Sequence, residues 1–432
     1  MHHLLPKGRI LPQGHNPRSA QPRQRRLKTM SRLIVDNLGP IKHVEVDFKK
    51  VSVLIGPQSS GKSTIAKVYS FCCWLDKMTD NTRKALNLGA YKKLMSYHRM
   101  STYLTPDTRI FFEGENIIYA YNYPQNEEGI TILPFSSTFD EEKYNSYACG
   151  NEKEVCFERV NREKSPKVEY IPAERNFVAA VPNLSTYLEA DDSLQDFVNT
   201  WYKAKKHYAK NNSLGILNLG MQFFYNEADA SDYVRLDNGK DIPVACASSG
   251  VQSLVPLLGM IKWFTSDIYR NQAERPFSPE ENEQISKLLK ENKNGVYGDE
   301  LAQMLERLVG FAKGKIYTHT QLILEEPEQN LFPNTQCDLI DYILASINHG
   351  KDHRMLMTTH SPYVLSYLNV LLRRTSDDAV FVSRENISVY RIHDGECIDL
   401  VGQDKQGRAI VDTYGLSETM ESIYSEFVER SK

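Results

Sequence analysis

Apolar and polar positions along the chain predict alternating strands and helices. Residues 33–48 alternate in character on both sides of a Gly-Pro turn, which predicts a β-hairpin. Residues 51–55 are mostly apolar, as in a buried strand, and a helix is predicted to follow over about 62–76. This order predicts that the chain begins as an α/β protein.

The middle of the chain has a different pattern. Residues 109–112, 117–121 and 167–171 are strand-like and are separated by Gly- and Asn-containing breaks, so antiparallel β-structure is predicted over 100–170. A polar, acidic stretch at 139–153 is poorly patterned.

Helical periodicity then predicts helix over 183–228, and residues 232–246 predict a strand pair around Asn238-Gly239. The segment Ser278-Pro279-Glu280-Glu281 predicts a helix start with a capping box. The final third returns to α/β alternation, with a strand at 321–324, a helix at 334–348 and a strand at 354–359.

Composition limits the class of protein. The 432 residues are 41% apolar and 25% charged, as in a globular protein with a sizeable core. Because no apolar run is long enough to cross a membrane and residues before Met30 lack an apolar core, neither a membrane span nor a secretory signal is predicted. The seven cysteines form no CxxC pair, which favours reduced thiols in a cytoplasmic protein over zinc or redox chemistry.

Charge is concentrated at the beginning of the chain. Residues 1–29 carry seven Lys or Arg and no acid, so the net charge of −3 leaves −10 on the rest. Three interpretations stay open: a basic arm that binds nucleic acid, a disordered tail, or upstream sequence from a mis-assigned start before Met30. The folded domain is predicted over 30–432.

The segment after the strand at 51–55 matches G-x-x-x-x-G-K-[S/T] in full. Its glycines let backbone N–H groups close around phosphate oxygens, and the next helix directs its positive dipole end at the same anion. Lys62 is predicted to reach the β- and γ-phosphates, and Ser63 to hold Mg²⁺. The predicted nucleotide-binding residues are Gly56, Pro57, Gln58, Ser59, Ser60, Gly61, Lys62, Ser63 and Thr64.

Adjacent carboxylates follow the strand at 321–324. Because ligands bind at the carboxyl ends of strands in open α/β sheets, Glu325 and Glu326 are predicted to face the phosphate loop. Glu325 would hold Mg²⁺, directly or through water, and Glu326 would orient or deprotonate the attacking water. Without the strand and the phosphate loop, two glutamates would more often be a solvated turn.

Two more segments complete the set of motifs. His360 directly follows the strand at 354–359 and is predicted to hydrogen-bond the γ-phosphate. Ser249 and Gly250 open a predicted helix, where a hydroxyl and free N–H groups form an anion site. Serine at a helix start is usually only a cap, but its position between the phosphate loop and the carboxylates is informative.

With these motifs in this order, residues 31–400 resemble the ABC-class ATPases of the SMC/RecF/OLD type: Walker A, signature, Walker B and switch histidine. Ser249-Gly250-Val251-Gln252 stands where the family has S-G-G-[Q/E], so Val251 is a departure, and nucleotide contacts are implied for Ser249, Gly250 and Gln252. Glu325-Glu326-Pro327-Glu328 resembles the D/E-E-P-E form of OLD-like proteins, and Asn330 stands where many relatives have His. Glu174-Arg175 lies near the family's Q-loop position, which leaves open a nucleotide-sensing role or a structural salt bridge.

The resemblance implies a P-loop NTPase of α/β class with an ABC-type ATPase head. It places a β-rich antiparallel lobe and helical insertions at about 90–245 and a helical insertion at about 262–318. It implies ATP and Mg²⁺ as cofactors, with Lys62, Glu326 and His360 catalytic. It also implies an ATP-dependent homodimer or higher oligomer in which one signature closes on the other protomer's ATP.

Three functional classes follow. The favoured one is an ATPase similar to those of anti-phage defence, which controls an effector protein encoded nearby. A RecF-like DNA-repair ATPase is disfavoured by the acidic body, although DNA binding stays open, and a non-catalytic scaffold is disfavoured by Glu326. The residues after His360 lack the acidic pattern of a TOPRIM domain, so no nuclease is predicted.

Overall fold

The computed structural model describes residues 30–77, 96–100, 102–122, 131–135, 154–159, 166–181, 192–270, 317–375, 378 and 380–431. In this part of the chain the strands form one large sheet and two small ones. The strands are β1 Ser31–Leu38, β2 Ile41–Phe48, β3 Val51–Ile55, β4 Arg109–Glu113, β5 Ile117–Asn122, β6 Thr131–Phe135, β7 Glu154–Arg159, β8 Pro166–Ile171, β9 Leu214–Gly215, β10 Gln222–Asn226, β11 Ser231–Arg235, β12 Asp241–Pro243, β13 His319–Glu325, β14 Arg354–Thr359, β15 Ile387–His393, β16 Glu396–Asp399, β17 Val401–Gln403 and β18 Ala409–Val411.

The longer helices of the described residues are α1 Lys62–Lys77, α2 Ser193–Ala204, α3 Ser249–Lys262, α4 Pro333–Asn348, α5 Pro362–Leu371 and α6 Tyr414–Arg430. The shorter helical segments are Ala173–Asn176, Phe177–Ala180, Lys205–His207, Val244–Cys246, the π-helical turn Trp263–Asp267, Ile268–Arg270 and Arg384–Asn386.

The large sheet has the strand order β6-β7-β5-β4-β1-β2-β16-β15-β3-β14-β13-β8. Its parallel part, β15-β3-β14-β13-β8, is buried on both faces, as its apolar strands require. Successive side chains of a strand point to opposite faces, so Val53 packs in one core and Leu54 in the other. Helix α1 covers the Leu54 face, and α3, α4 and α5 cover the Val53 face.

This topology brings the carboxyl ends of β3, β13 and β14 to the same edge of the sheet. Thr358 is paired with Leu54 on one side and with Glu325 on the other, and Thr359 is paired with Ile55. The segments after these three strands therefore lie next to one another.

Several sequence predictions are confirmed. The hairpin at 33–48 is the antiparallel pair β1–β2. The strand predicted at 354–359 is β14, and the helix predicted at 334–348 is α4 with one more residue at its start. The pair predicted at 232–246 is β11–β12, with a tight turn at Gly239.

Two predictions are wrong in part. Residues 205–228 are not one helix: α2 ends at Ala204, and the chain continues into β9 and β10, with a turn at Gly220 whose φ is 66°. The strand at 167–171 does not belong to the antiparallel β-structure. It is part of β8, which pairs in parallel with β13, a strand about 150 residues further along the chain that local pattern could not connect to it, and β6 and β7 also pair in parallel.

The predictions for 1–29, 139–153 and 278–281 lie outside the described residues, as do most of 262–318 and residues 182–191. None of the helices that the structure describes has the length and apolar character needed to cross a membrane.

Candidate functional site

The phosphate loop lies between the end of β3 at Ile55 and the start of α1 at Lys62. Gly56 must be glycine, because a Cβ there would lie 2.1 Å from the Ile392 carbonyl oxygen. Gly61 has a φ of 102°, and a Cβ there would lie 2.2 Å from a side-chain carbon of Ile41. The loop is therefore packed tightly against its neighbours, with α1 starting where an anion would bind.

The loop residues differ in their access to solvent. Pro57, Gln58 and Ser59 are exposed, whereas Ser60 and Thr64 are buried. Ser59 adopts a φ of 60°, which is uncommon for a residue with a side chain. The middle of the loop is thus exposed to solvent, and both of its ends pack against the core.

Lys62 is the buried cation of the loop. Its Nζ donates to the carbonyl oxygens of Gly56 at 2.9 Å and Pro57 at 2.7 Å. Burial lowers the pKa of Lys62, and the carboxylates of Glu326, Glu328 and Glu325 oppose that change. The ammonium group therefore lies near the carboxylates at the end of β13 and in the turn after it, which favour its charged form.

Glu325 is the last residue of β13 and is buried. Burial raises the pKa of its carboxyl, while Lys67 and the polar side chains of Tyr170 and Ser63 oppose that rise. Its Oε1 is buried and accepts no hydrogen bond from the described residues. An unpartnered carboxylate oxygen beside the Ser63 hydroxyl fits the hard, oxygen-rich ligand set that Mg²⁺ prefers.

Glu326 leaves the strand in an unusual conformation, with a φ of 42°. Its N–H donates to the Thr358 carbonyl at 3.0 Å. Its Oε1 lies 3.2 Å from Nε2 of His360, and its Oε2 accepts from Nε2 of Gln329 at 3.1 Å. The side chains of Glu326 and His360 are 28% and 31% exposed, so both reach solvent from the edge of the sheet.

Arg175 is completely buried and hydrogen-bonds the backbone at the turn that carries Glu326. Its guanidinium donates to the carbonyl oxygens of Glu325 at 2.8 Å and Glu326 at 2.7 Å. Burial lowers the pKa of Arg175 to about 10, against the attraction of Glu328 and Glu326. These contacts favour a structural role for Arg175 over nucleotide sensing. The acceptors are backbone carbonyl oxygens, however, and not the carboxylate of a salt bridge. Glu174 is exposed.

The predicted signature segment opens α3. The Ser248 hydroxyl accepts from the N–H of Val251 at 3.4 Å and caps the helix, while Ser249 is exposed. Val251 is 5% exposed, so its side chain packs in the core and leaves the outer surface of the turn unobstructed. A Cβ on Gly250 would lie 2.9 Å from the Asn330 carbonyl oxygen, which explains why glycine stands there.

Gln252 has partners in its own chain. Its side-chain amide donates to the carbonyl oxygens of Ala245 at 3.0 Å and Ala247 at 3.1 Å, and so holds the turn that precedes α3. Among the hydrogen bonds of the described residues, none connects the 248–252 segment to the phosphate loop.

Sequence reasoning gave no role to Gln329, Tyr170 or Glu328, each of which contacts this site. Glu328 could have been singled out, because it belongs to the same short acidic motif as Glu325 and Glu326. Tyr170 and Gln329 carry no comparable signal.

A phosphate loop, a buried strand ending in two carboxylates, and a histidine on the adjacent strand define a P-loop protein of the nucleotide-binding α/β class. The family model described as AAA ATPase domain (AAA_15) matches residues 29–294 and 182–365. The chain belongs to this family of ATPase domains.

Solved structures with similar folds include three ATPase heads or cassettes. The SMC head bound to the C-terminal winged-helix domain of ScpA is 9% identical, with 85% of this chain and 96% of that chain covered and a TM-score of 0.38. The SMC head domain from Thermotoga maritima is 11% identical, with 86% and 98% covered and a TM-score of 0.34. An ABC-transporter ATP-binding cassette in its ADP conformation is 12% identical, with 88% and 93% covered and a TM-score of 0.31.

At these identities and TM-scores the structural similarities carry no conclusion about activity. A search of the curated proteins finds no match to the sequence.

Proposed function

We propose that this protein binds ATP with Mg²⁺ and hydrolyses it at the edge of the sheet where β3, β13 and β14 end. The observation that carries the proposal is the Glu326 carboxylate, which is held between His360 and Gln329 and lies near enough to Lys62 to favour its charged ammonium form. A nucleotide switch that never hydrolyses ATP has no need for a carboxylate oriented in this way.

Each side chain has a distinct task in the proposed reaction. Lys62 neutralises charge on the β- and γ-phosphates, and the start of α1 adds the positive end of its dipole. Glu326 orients the attacking water and accepts its proton, while His360 hydrogen-bonds the γ-phosphate. Ser63 and Glu325 would hold Mg²⁺, which when bound neutralises charge that develops on the phosphate oxygens.

We further propose that two copies close around ATP. Ser249, the first residue of α3, is exposed and has no hydrogen bond to the phosphate loop in the described part of its own chain. The exposed Ser249 hydroxyl at this helix N-terminus suits a phosphate supplied by a second protomer. Gln252, with its amide already used within the chain, would shape this surface rather than touch the nucleotide.

The biological role we propose is control of an effector protein in anti-phage defence, in the cytoplasm, by residues 30–432 acting as one ATPase domain. A surface that supports a protein partner is the exposed apolar side of α6, where Ile423, Tyr424 and Phe427 are 59%, 68% and 65% exposed. Loss of phage resistance on deletion of the gene, with its neighbours intact, would support this role, whereas sensitivity to DNA damage instead would indicate repair.

The activity is tested by Lys62→Ala, with Lys240→Ala as the matched control because Lys240 is exposed on a distant turn. We expect Lys62→Ala to lose ATP binding by at least about 100-fold, since it removes the cation that faces the phosphates. Lys240→Ala should bind normally. Binding of a fluorescent ATP analogue measures this, and wild-type affinity in Lys62→Ala would refute the site.

A further inference from the structure

Glu328 connects the turn after β13 to the segment that carries His360. One carboxylate oxygen, Oε1, accepts two hydrogen bonds: from Oγ1 of Thr359 at 2.6 Å and from the backbone N–H of His360 at 2.8 Å. The other oxygen, Oε2, is buried and accepts no hydrogen bond from the described residues. Both contacts span more than 30 positions of the sequence.

The segment around His360 is fixed on its other side by its own helix cap. Oγ1 of Thr359 accepts from the N–H of Ser361 at 3.0 Å, and the Ser361 hydroxyl accepts from the N–H of Val364 at the start of α5. Thr359 is completely buried. The Glu328 carboxylate therefore ties this segment to the turn carrying Glu326, in addition to the contact between Glu326 and His360.

We propose that Glu328 is a positioning residue for ATP hydrolysis, which holds the His360 backbone so that the imidazole meets Glu326 and the γ-phosphate. This inference rests on the proposed ATPase activity. Glu328 acts through His360 and does not itself touch the nucleotide. Its two hydrogen bonds hold the segment that follows β14 against the turn that follows β13, and the 3.2 Å contact between Glu326 and His360 joins the same two segments.

The two carboxylate oxygens of Glu328 differ in their hydrogen bonds, and this difference allows substitutions to distinguish a positioning role from an electrostatic role. Because Oε1 receives both hydrogen bonds and Oε2 receives none, a glutamine can keep both bonds through its carbonyl oxygen. A methionine of similar size keeps neither. If Glu328 acted through its charge on Lys62 and Arg175, glutamine would fail as badly as methionine.

The kinetic test compares Glu328→Gln and Glu328→Met with the wild-type protein in Mg²⁺-dependent ATP hydrolysis. We expect Glu328→Met to lower kcat by roughly 10- to 100-fold with KM changed less than about threefold, since hydrogen bonds to a charged acceptor are lost at the catalytic edge only. Glu328→Gln should lower kcat by less than about fivefold. Equal losses in the two variants would overturn the proposal.

A second test asks whether the effect passes through His360. In a double-mutant cycle, Glu328→Met should add less than about threefold to the loss caused by His360→Ala, because residues that act as one unit are not additive. Fully multiplicative losses, or a His360→Ala variant with wild-type kcat, would overturn the proposal.

A third measurement does not depend on activity. Hydrogen exchange of the His360 amide should be at least about tenfold faster in Glu328→Met than in the wild type and in Glu328→Gln, since only methionine frees this N–H. Unchanged exchange in Glu328→Met would overturn the positioning role. An inactive wild-type protein with the expected exchange pattern would refute the proposed hydrolysis while leaving the contact supported.

Discussion

Replacing Arg175 with methionine tests how the buried guanidinium supports the site. The substitution keeps the length of the side chain but removes the donors to the Glu325 and Glu326 carbonyl oxygens, at 2.8 Å and 2.7 Å. The Glu326 carbonyl oxygen still accepts from the N–H of Gln329 at 3.1 Å, so the loss falls on the buried Glu325 carbonyl, at a cost of about 1–3 kcal/mol.

Removal of the buried charge of Arg175 offsets most of this cost. Burial lowers the pKa of Arg175 to about 10, which corresponds to about 3 kcal/mol against the buried charge. Methionine removes that penalty, as apolar replacements of buried charges often do. We therefore expect the free energy of unfolding to change by less than about 2 kcal/mol.

Activity should respond far more strongly than stability. With its carbonyl oxygens released, the turn that carries Glu326 is free to shift, and a displacement of about 1 Å at a reacting group can cost roughly 100-fold in rate. We expect kcat for ATP hydrolysis to fall by about that factor in Arg175→Met.

Urea unfolding and phosphate release measure the two quantities. Arg374→Met is the control, because Arg374 also donates to a backbone carbonyl, that of Val380, and lies outside the site. The reasoning would be refuted by wild-type kcat in Arg175→Met, or by a loss of more than about 4 kcal/mol of stability.

Two other predictions concern pH and assembly. His353 is completely buried, its Nδ1 accepts from the N–H of Thr320, and burial lowers its pKa to about 4, so the folded protein keeps it neutral while the unfolded chain protonates near pH 6.5. Stability should therefore fall as pH drops from about 6.5 towards 4. Chemical denaturation of His353→Gln should show a shallower fall, to which His98 still contributes because burial lowers its pKa to about 3. For assembly, Ser249→Arg and Lys62→Ala should each be inactive alone, and mixing them should restore part of the ATP hydrolysis, because each mixed dimer has one intact site. No recovery in a confirmed mixture would count against shared sites.

Local pattern was enough to predict the strands that carry the chemistry. The apolar runs that became β3, β13 and β14 are strong signals because these strands are buried on both faces, and each ends at a motif residue. The carboxyl ends of neighbouring parallel strands lie at one edge of a sheet. Because Lys62, Glu325 and His360 stand at or after such ends, the sequence could predict that they lie close together.

Strand pairing between residues far apart in the sequence could not be predicted from local pattern. Helix was predicted through residues 205–228 although Gly215 and Gly220 interrupt them, and β10 forms because β11 pairs with it. The parallel position of β8 depends on β13, far away in the sequence. Local sequence pattern also cannot reveal side-chain hydrogen bonds to backbone groups, which define the roles of Arg175, Gln252 and Glu328.

The central claim is that Glu326 activates water at a site that also binds ATP. The most direct test is ATP hydrolysis by Glu326→Gln, which keeps the shape of the side chain and removes the base. We predict ATP affinity within about threefold of wild type and hydrolysis reduced by at least about 100-fold, with exposed Glu396→Gln as the unaffected control. Hydrolysis by Glu326→Gln at the wild-type rate would contradict the account.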